Sequence, residues 1–313
     1  MLQFIRKSMM AWALPVLLAC VSAAGEARAD VAVDAANFPD ARFRSWVKEN
    51  VAGGRDVLTG AQIAAVEEMD VSYGEIADLK GLERFTALKV LVCWSNSLTA
   101  LDASKNTSLE MLRCNGNELS ALDLSKNRAL KVLSCDQNKL KALDLSGLAD
   151  LRSLACRYNS LTSLDLSRNA ALMELDCWGN EITALDLSKN TALEKLNCLE
   201  NPIKALDLSK NRNLSEAALP ATATVTLPGG DRIAMADFKV VKAAGGKFRL
   251  DLAKFGDKIG EVSVEPMGVD EEVAVSSSRG VHTFAPCDGK VRITYRLGKD
   301  AGLDLILFIE KQP

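Results

Sequence analysis

Apolar positions recur along the middle of the chain at one fixed interval. Leu88, Leu109, Leu130, Leu151, Leu172 and Leu193 each open a unit of 21 residues. The shared pattern is L-x-x-L-x-C-x-x-N-x-[LI]-x-x-L-D-[LA]-S, usually continuing as [KR]-N. A unit this short cannot bury its apolar side alone, so the pattern predicts a stack of short parallel strands about 4.8 Å apart. The first, fourth and sixth residues, Leu, Leu and Cys, should point inward. Polar columns fill the turns. Asn96, Asn117, Asn138, Asn159, Asn180 and Asn201 stand where the chain leaves the strand, and an amide there can both donate to and accept from buried backbone. The Asp-x-Ser column, from Asp102 and Ser104 to Asp207 and Ser209, suits a return turn because short polar side chains bond nearby backbone.

These units resemble the cysteine-containing leucine-rich repeats of bacterial surface and secreted proteins, related in architecture to the internalins. The resemblance covers roughly residues 36–219. It extends to the helical segment that precedes such repeats, through Asn37-Phe38-Pro39-Asp40-Ala41-Arg42-Phe43, and to Leu79-Lys80-Gly81-Leu82-Glu83-Arg84-Phe85-Thr86 at the entry to the array. Relatives often carry an acidic calcium loop before the second helix. Here Val51 to Gly60 keeps only Asp56 as an acidic ligand, so no calcium and no other cofactor is expected.

The flanking regions follow other periods. Pro39 at an early helical position, with Phe43, Trp46 and Val47 on one face, predicts a first helix; Thr59 and Gln62 form a capping box for a second. Beyond Ala221 short alternating runs take over: Thr222–Leu227, Phe238–Val241, Lys247–Leu252, Glu261–Glu265, Glu271–Ser276, Gly280–Phe284, Lys290–Arg296 and Leu303–Glu310. The expected fold is a curved leucine-rich-repeat solenoid with a small helical N-terminal cap and a C-terminal all-β domain of immunoglobulin-like sandwich type. Its boundaries are a leader at 1–29, the cap at 30–65, repeats at 66–220 and the β-domain at 221–313.

The leader reading rests on Arg6 and Lys7, an apolar run from Met9 to about Ala24, and the small-residue site Ala27-Arg28-Ala29. Cleavage after Ala29 is favoured. The alternative is lipid anchoring at Cys20, in the lipobox-like Leu17-Leu18-Ala19-Cys20, the one route that would tie the protein to a membrane. Both routes export the chain to the periplasm, exterior or cell surface. Without its leader it carries 35 basic and 40 acidic residues, which offers no footprint for nucleic acid.

Chemistry finds little material. In the irregular unit before the array, Val71 stands where the cysteines stand, and Val can replace a buried thiol but not a metal ligand. Strand stacking holds neighbouring Cβ atoms about 4.8 Å apart, against roughly 3.8 Å for a disulfide, so shielded free thiols are expected. His282 is the single histidine, and the common nucleophile, phosphate-loop and zinc-protease motifs are absent, so no enzyme is expected.

What varies is the outward face of the strands. The third, fifth, seventh and eighth positions should project from the concave side. The seventh column reads Trp94, Asn115, Asp136, Arg157, Trp178 and Leu199, and the eighth includes Tyr73 and Tyr158. Trp, Tyr and Arg dominate binding hot spots. The candidate binding residues are therefore Val92, Trp94, Met111, Arg113, Arg157, Tyr158 and Trp178, for a protein partner engaged without catalysis; a glycan-binding or envelope-scaffolding role is the alternative.

Overall fold

The computed structural model describes residues 29–227 and 232–235, together with the backbone of further strands between residues 240 and 309. Residues 1–28, with Cys20, and Cys287 lie outside the described residues, and the side chain of His282 is likewise outside them.

The chain begins with a short antiparallel pair, β1 (Val31–Ala32) and β2 (Val57–Leu58), around helix α1 (Ala41–Asn50), followed by α2 (Gly60–Ala65). Asp40 starts α1: its carboxylate accepts from the amides of Arg42 and Phe43, both at 2.9 Å. Pro39 therefore sits before the cap rather than inside the first turn, because an aspartate bonds orphan helix amides that proline cannot serve. Phe43 and Val47 are buried, with Trp46 packed against the same core. Thr59 and Gln62 make the reciprocal capping box that their spacing predicts. Asp56 is engaged by Lys48, 2.6 Å away.

From Glu68 onward the chain winds as a parallel β-solenoid of about eight turns. Each turn lays down one strand of three residues: β3 (Glu68–Asp70), β4 (Val90–Val92), β5 (Met111–Arg113), β6 (Val132–Ser134), β7 (Ser153–Ala155), β8 (Glu174–Asp176) and β9 (Lys195–Asn197). β10 (Ala205–Asp207) lies off this sheet, and β11 (Glu216–Ala218) continues it beside β9. β10 instead pairs in parallel with β12 (Thr224–Thr226), which pairs antiparallel with β13 (Arg232–Ala234). Register is strict. Leu91, Leu112, Leu133, Leu154, Leu175 and Leu196 lie side by side, none more than 2% exposed, while the residues flanking them in each strand are not buried.

Two files of asparagine hold the turns. In the first, Asn138 donates to the carbonyls of Cys114 (3.0 Å) and Cys135 (3.1 Å) and accepts from the Leu119 amide at 3.0 Å. The same bonds repeat at Asn117, Asn180 and Asn201. This is the donate-and-accept role that the sequence pattern calls for. The second file, Asn106, Asn127, Asn169, Asn190 and Asn211, is fully buried on the return side, and each amide donates to two carbonyls of the preceding turn. Leu148 interrupts it. Outside, each Asp-x-Ser pair closes a turn through a 2.9 Å bond from the serine amide to the aspartate.

The C-terminal strands are described by backbone alone. Leu303–Ile309 pairs in parallel with β11 and antiparallel with Val291–Leu297, which pairs antiparallel with Ile259–Pro266, so the repeat sheet runs on into three antiparallel strands. A four-stranded antiparallel sheet contains Val240–Lys242, Phe248–Asp251, Val281–Phe284 and Val275–Ser278. Most of these lie within a residue or two of the runs expected from sequence; β13 was not foreseen.

Candidate functional site

The strand face is built by alternation. With the central leucine of each strand inside, the third and fifth positions must point out, and the seventh and eighth follow where the chain bends away. The eighth position has a feature the residue pattern did not reveal. Tyr73, Ser95, Gln137, Tyr158 and Glu200 all have φ between 48° and 55°, and the glycines of the column, Gly116 and Gly179, lie at 65° and 68°. Each turn from β3 to β9 thus leaves its strand through a left-handed residue, a conformation that costs a non-glycine side chain free energy. The two glycines in this column were the signal.

That bend aims two tyrosines at the tryptophans of the following turn. Tyr73 meets Trp94 with ring centroids 4.5 Å apart, and Tyr158 meets Trp178 at 5.0 Å. Trp94 and Trp178 are each half-buried, whereas Tyr73 and Tyr158 are 67% and 42% exposed. The tryptophans therefore pack on a neighbouring turn and still present a face to solvent. Gly179 makes the second pair feasible, since a Cβ there would stand 2.7 Å from the Tyr158 ring.

Arg157 is clamped. Its Nε lies 3.1 Å from the Asp176 carboxylate and 3.7 Å from that of Asp136, and Asp136 also accepts from the Arg157 amide at 2.7 Å. Burial pushes both carboxyls above the usual aspartate value, with Arg157 pulling the other way. Over β7, β8, β9 and β11 the face sinks into an open depression of about 340 Å³ whose lining includes Arg157, Asp176, Ser153 and Asn197, with Lys195 and Glu174, also in the lining, paired 3.2 Å apart. The other end is different. Val90, Val92, Met111 and Val132 lie half-exposed and adjacent in the register of β4 to β6, with Arg113 exposed among them. Thus Val92, Met111 and Arg113 share one patch, Arg157, Tyr158 and Trp178 share another, and Trp94 borders the first.

The cysteines face away from all of this. Cys93, Cys114, Cys135, Cys156, Cys177 and Cys198 are free and fully buried, in a single file behind the strands. Burial raises every thiol, those of Cys114 and Cys177 to about 12, so they are protonated and inert as nucleophiles at neutral pH. Val71, buried in the turn before, sits in the same file: its carbonyl receives the Asn96 amide as the Cys93 carbonyl receives that of Asn117. Among the described residues no three His, Cys, Asp or Glu side chains group to hold a metal ion, and no helix is long and apolar enough to cross a membrane.

Among known proteins the chain is similar to internalin J of Listeria monocytogenes, with 41% identity over 71 residues, or 22% of this chain and 8% of that protein. The match thus spans only a small part of the relative. Among solved structures, internalin C2 of the same species matches at 20% identity with a TM-score of 0.54, covering 61% of this chain and 89% of that one. The functional domain of internalin J, described as including a cysteine ladder, matches at 17% identity and a TM-score of 0.38, over 92% of this chain and all of that one. No protein-family model matches the chain.

Proposed function

We propose that this internalin-like leucine-rich-repeat chain is a noncatalytic recognition module of a bacterial envelope or exterior, which holds a protein partner on its strand face. One observation carries the reading: inward positions repeat in type at every turn because stacking demands it, while the outward positions of one continuous sheet change from turn to turn. Those changing positions collect Val92, Trp94, Met111, Arg113, Arg157, Tyr158 and Trp178. A covered aromatic side chain buries about 150–250 Å², roughly 4–6 kcal/mol gross at 25 cal/mol per Å². An adhesive role toward a host follows from the family resemblance alone.

Within this reading residues 1–29 are an export leader removed before Asp30, with acylation at Cys20 as the alternative. Residues 30–65 cover the open end of the stack, a role supported by the Asp40 carboxylate accepting the Ala77 amide at 2.9 Å and so tying α1 to the first turn. Residues 221–313 are a β-domain serving as spacer or stalk. A pull-down from envelope and host-cell extracts tests the whole: a protein retained by the wild type should be lost with Trp94→Ala plus Trp178→Ala and kept with Ser167→Arg on the return-turn edge. Equal loss or equal retention by the two would defeat the proposal.

The two Tyr–Trp pairs favour a second reading, a glycan stacked on both. They lie four turns apart, about 19 Å at the parallel-strand spacing. Glycan-array binding that disappears in Trp178→Ala would select it.

A further inference from the structure

The charges on the strand face are not alike. Arg157 is neutralised by Asp136 and Asp176, and Lys195 by Glu174. Arg113, by contrast, is exposed and makes no ion pair or side-chain hydrogen bond among the described residues. Its neighbours are apolar toward β4 and polar toward β6. Val92 stands beside it in the register on one side and Ser134 on the other, while Met111, two residues earlier on the same strand, lies between Val90 and Val132. Asn115, the next outward residue, is 3.3 Å from the Ser134 hydroxyl and so is turned toward its own neighbour.

This arrangement constrains what can cover it. An apolar surface that docks on Val90, Val92, Met111 and Val132 removes water from the guanidinium at the edge of that patch, and a buried unpaired charge is strongly unfavourable. Since no described residue supplies a counter-ion there, that role is assigned to the partner. A carboxylate restores full charge balance and matches the planar fork of arginine with two parallel hydrogen bonds. Resting on the protein-binding proposal above, we infer that the partner presents an Asp or Glu side chain flanked by apolar side chains to β4–β6, with Arg113 as its anchor. The clamped Arg157, already holding two carboxylates of its own, does not have this role.

The test pans a phage library of random dodecapeptides against the purified chain, and in parallel against Arg113→Glu. The wild type should enrich peptides with an acidic residue between apolar ones, and Arg113→Glu should enrich basic centres instead. Synthetic versions of the wild-type peptides should bind Arg113→Gln at least about tenfold more weakly, the scale of an interface hot spot. Because Arg113 is exposed, thermal melting of the variants should match the wild type. Enrichment of basic or purely aromatic peptides, undiminished binding to Arg113→Gln, or no enrichment overturns the inference. Peptides that ignore Arg113 but need Trp178 would overturn it while leaving strand-face recognition intact; peptides that ignore both would count against both.

Discussion

Raising the pH should unfold this protein by way of its cysteines. All six repeat thiols are fully buried and desolvated, and Cys114 and Cys177 are pushed up to about 12 from an ordinary value of 9.0. Above pH 9 the unfolded chain releases these protons while the native chain keeps them, so the native state binds more protons and loses stability as pH rises. The loss continues until the folded value is reached. One thiol contributes about 1.4 kcal/mol per pH unit in that window, so replacing two should remove close to 3 kcal/mol of the fall between pH 8 and pH 10. Cys114→Val plus Cys177→Val is the suitable variant, because Val71 already occupies the same file. Urea melts followed by tryptophan fluorescence at several pH values give the slope for both proteins, and lysine and tyrosine titrations cancel in the difference. Parallel pH profiles would refute the reasoning, since they would mean that the thiols ionise in place or are already oxidised to disulfides.

Other expectations follow from single contacts. Asn138→Ala removes an amide that donates to two carbonyls and accepts from one backbone amide, and should cost at least about 2 kcal/mol in denaturant titrations, because buried groups left unpaired cost about 1–3 kcal/mol each. Leu154→Ala should lower stability by about 2–5 kcal/mol, the range for emptying a buried leucine site. Gly179→Ala, at φ 68° and against the Tyr158 ring, should alter the near-ultraviolet circular dichroism of the Tyr158–Trp178 pair, whereas Gly147→Ala, with open space around it, should not. In acid, the Asp-x-Ser turns should weaken. Serine hydrogen bonds hold Asp102, Asp123, Asp144, Asp165, Asp186 and Asp207 below their ordinary 3.8, so their contribution is present above that pH and is lost as pH falls through the lower folded values, visible as a falling melting temperature.

The solenoid was legible because each turn restates the same packing problem: a leucine that must be buried in one turn must be buried in all. Cys93 to Cys198 and Asn96 to Asn201 were read correctly for that reason. The second asparagine file was visible as the recurring [KR]-N, yet its role in bonding the return side emerges only when Asn127 is seen reaching carbonyls 21 and 24 residues behind it. Side-chain direction at the bend was harder. The left-handed conformation at Tyr73 and Tyr158 belongs to the column rather than to either residue, so tyrosine propensity gives no hint of it. Charge balance was hidden similarly, because the partners of Arg157 come from the turns before and after it. Column membership shows that Arg113 and Arg157 both face outward; only contacts between turns separate the clamped one from the open one.

The central claim is that recognition takes place on the strand face, and site-specific photocrosslinking tests it most directly. A benzophenone side chain placed at Ser153, on the outward face of β7, should form a covalent adduct with a partner protein from envelope or host-cell extract, and the same group at Ser167, on the return-turn edge, should not. Adducts from Ser167 with none from Ser153 would contradict the account and move the binding surface to another side of the solenoid.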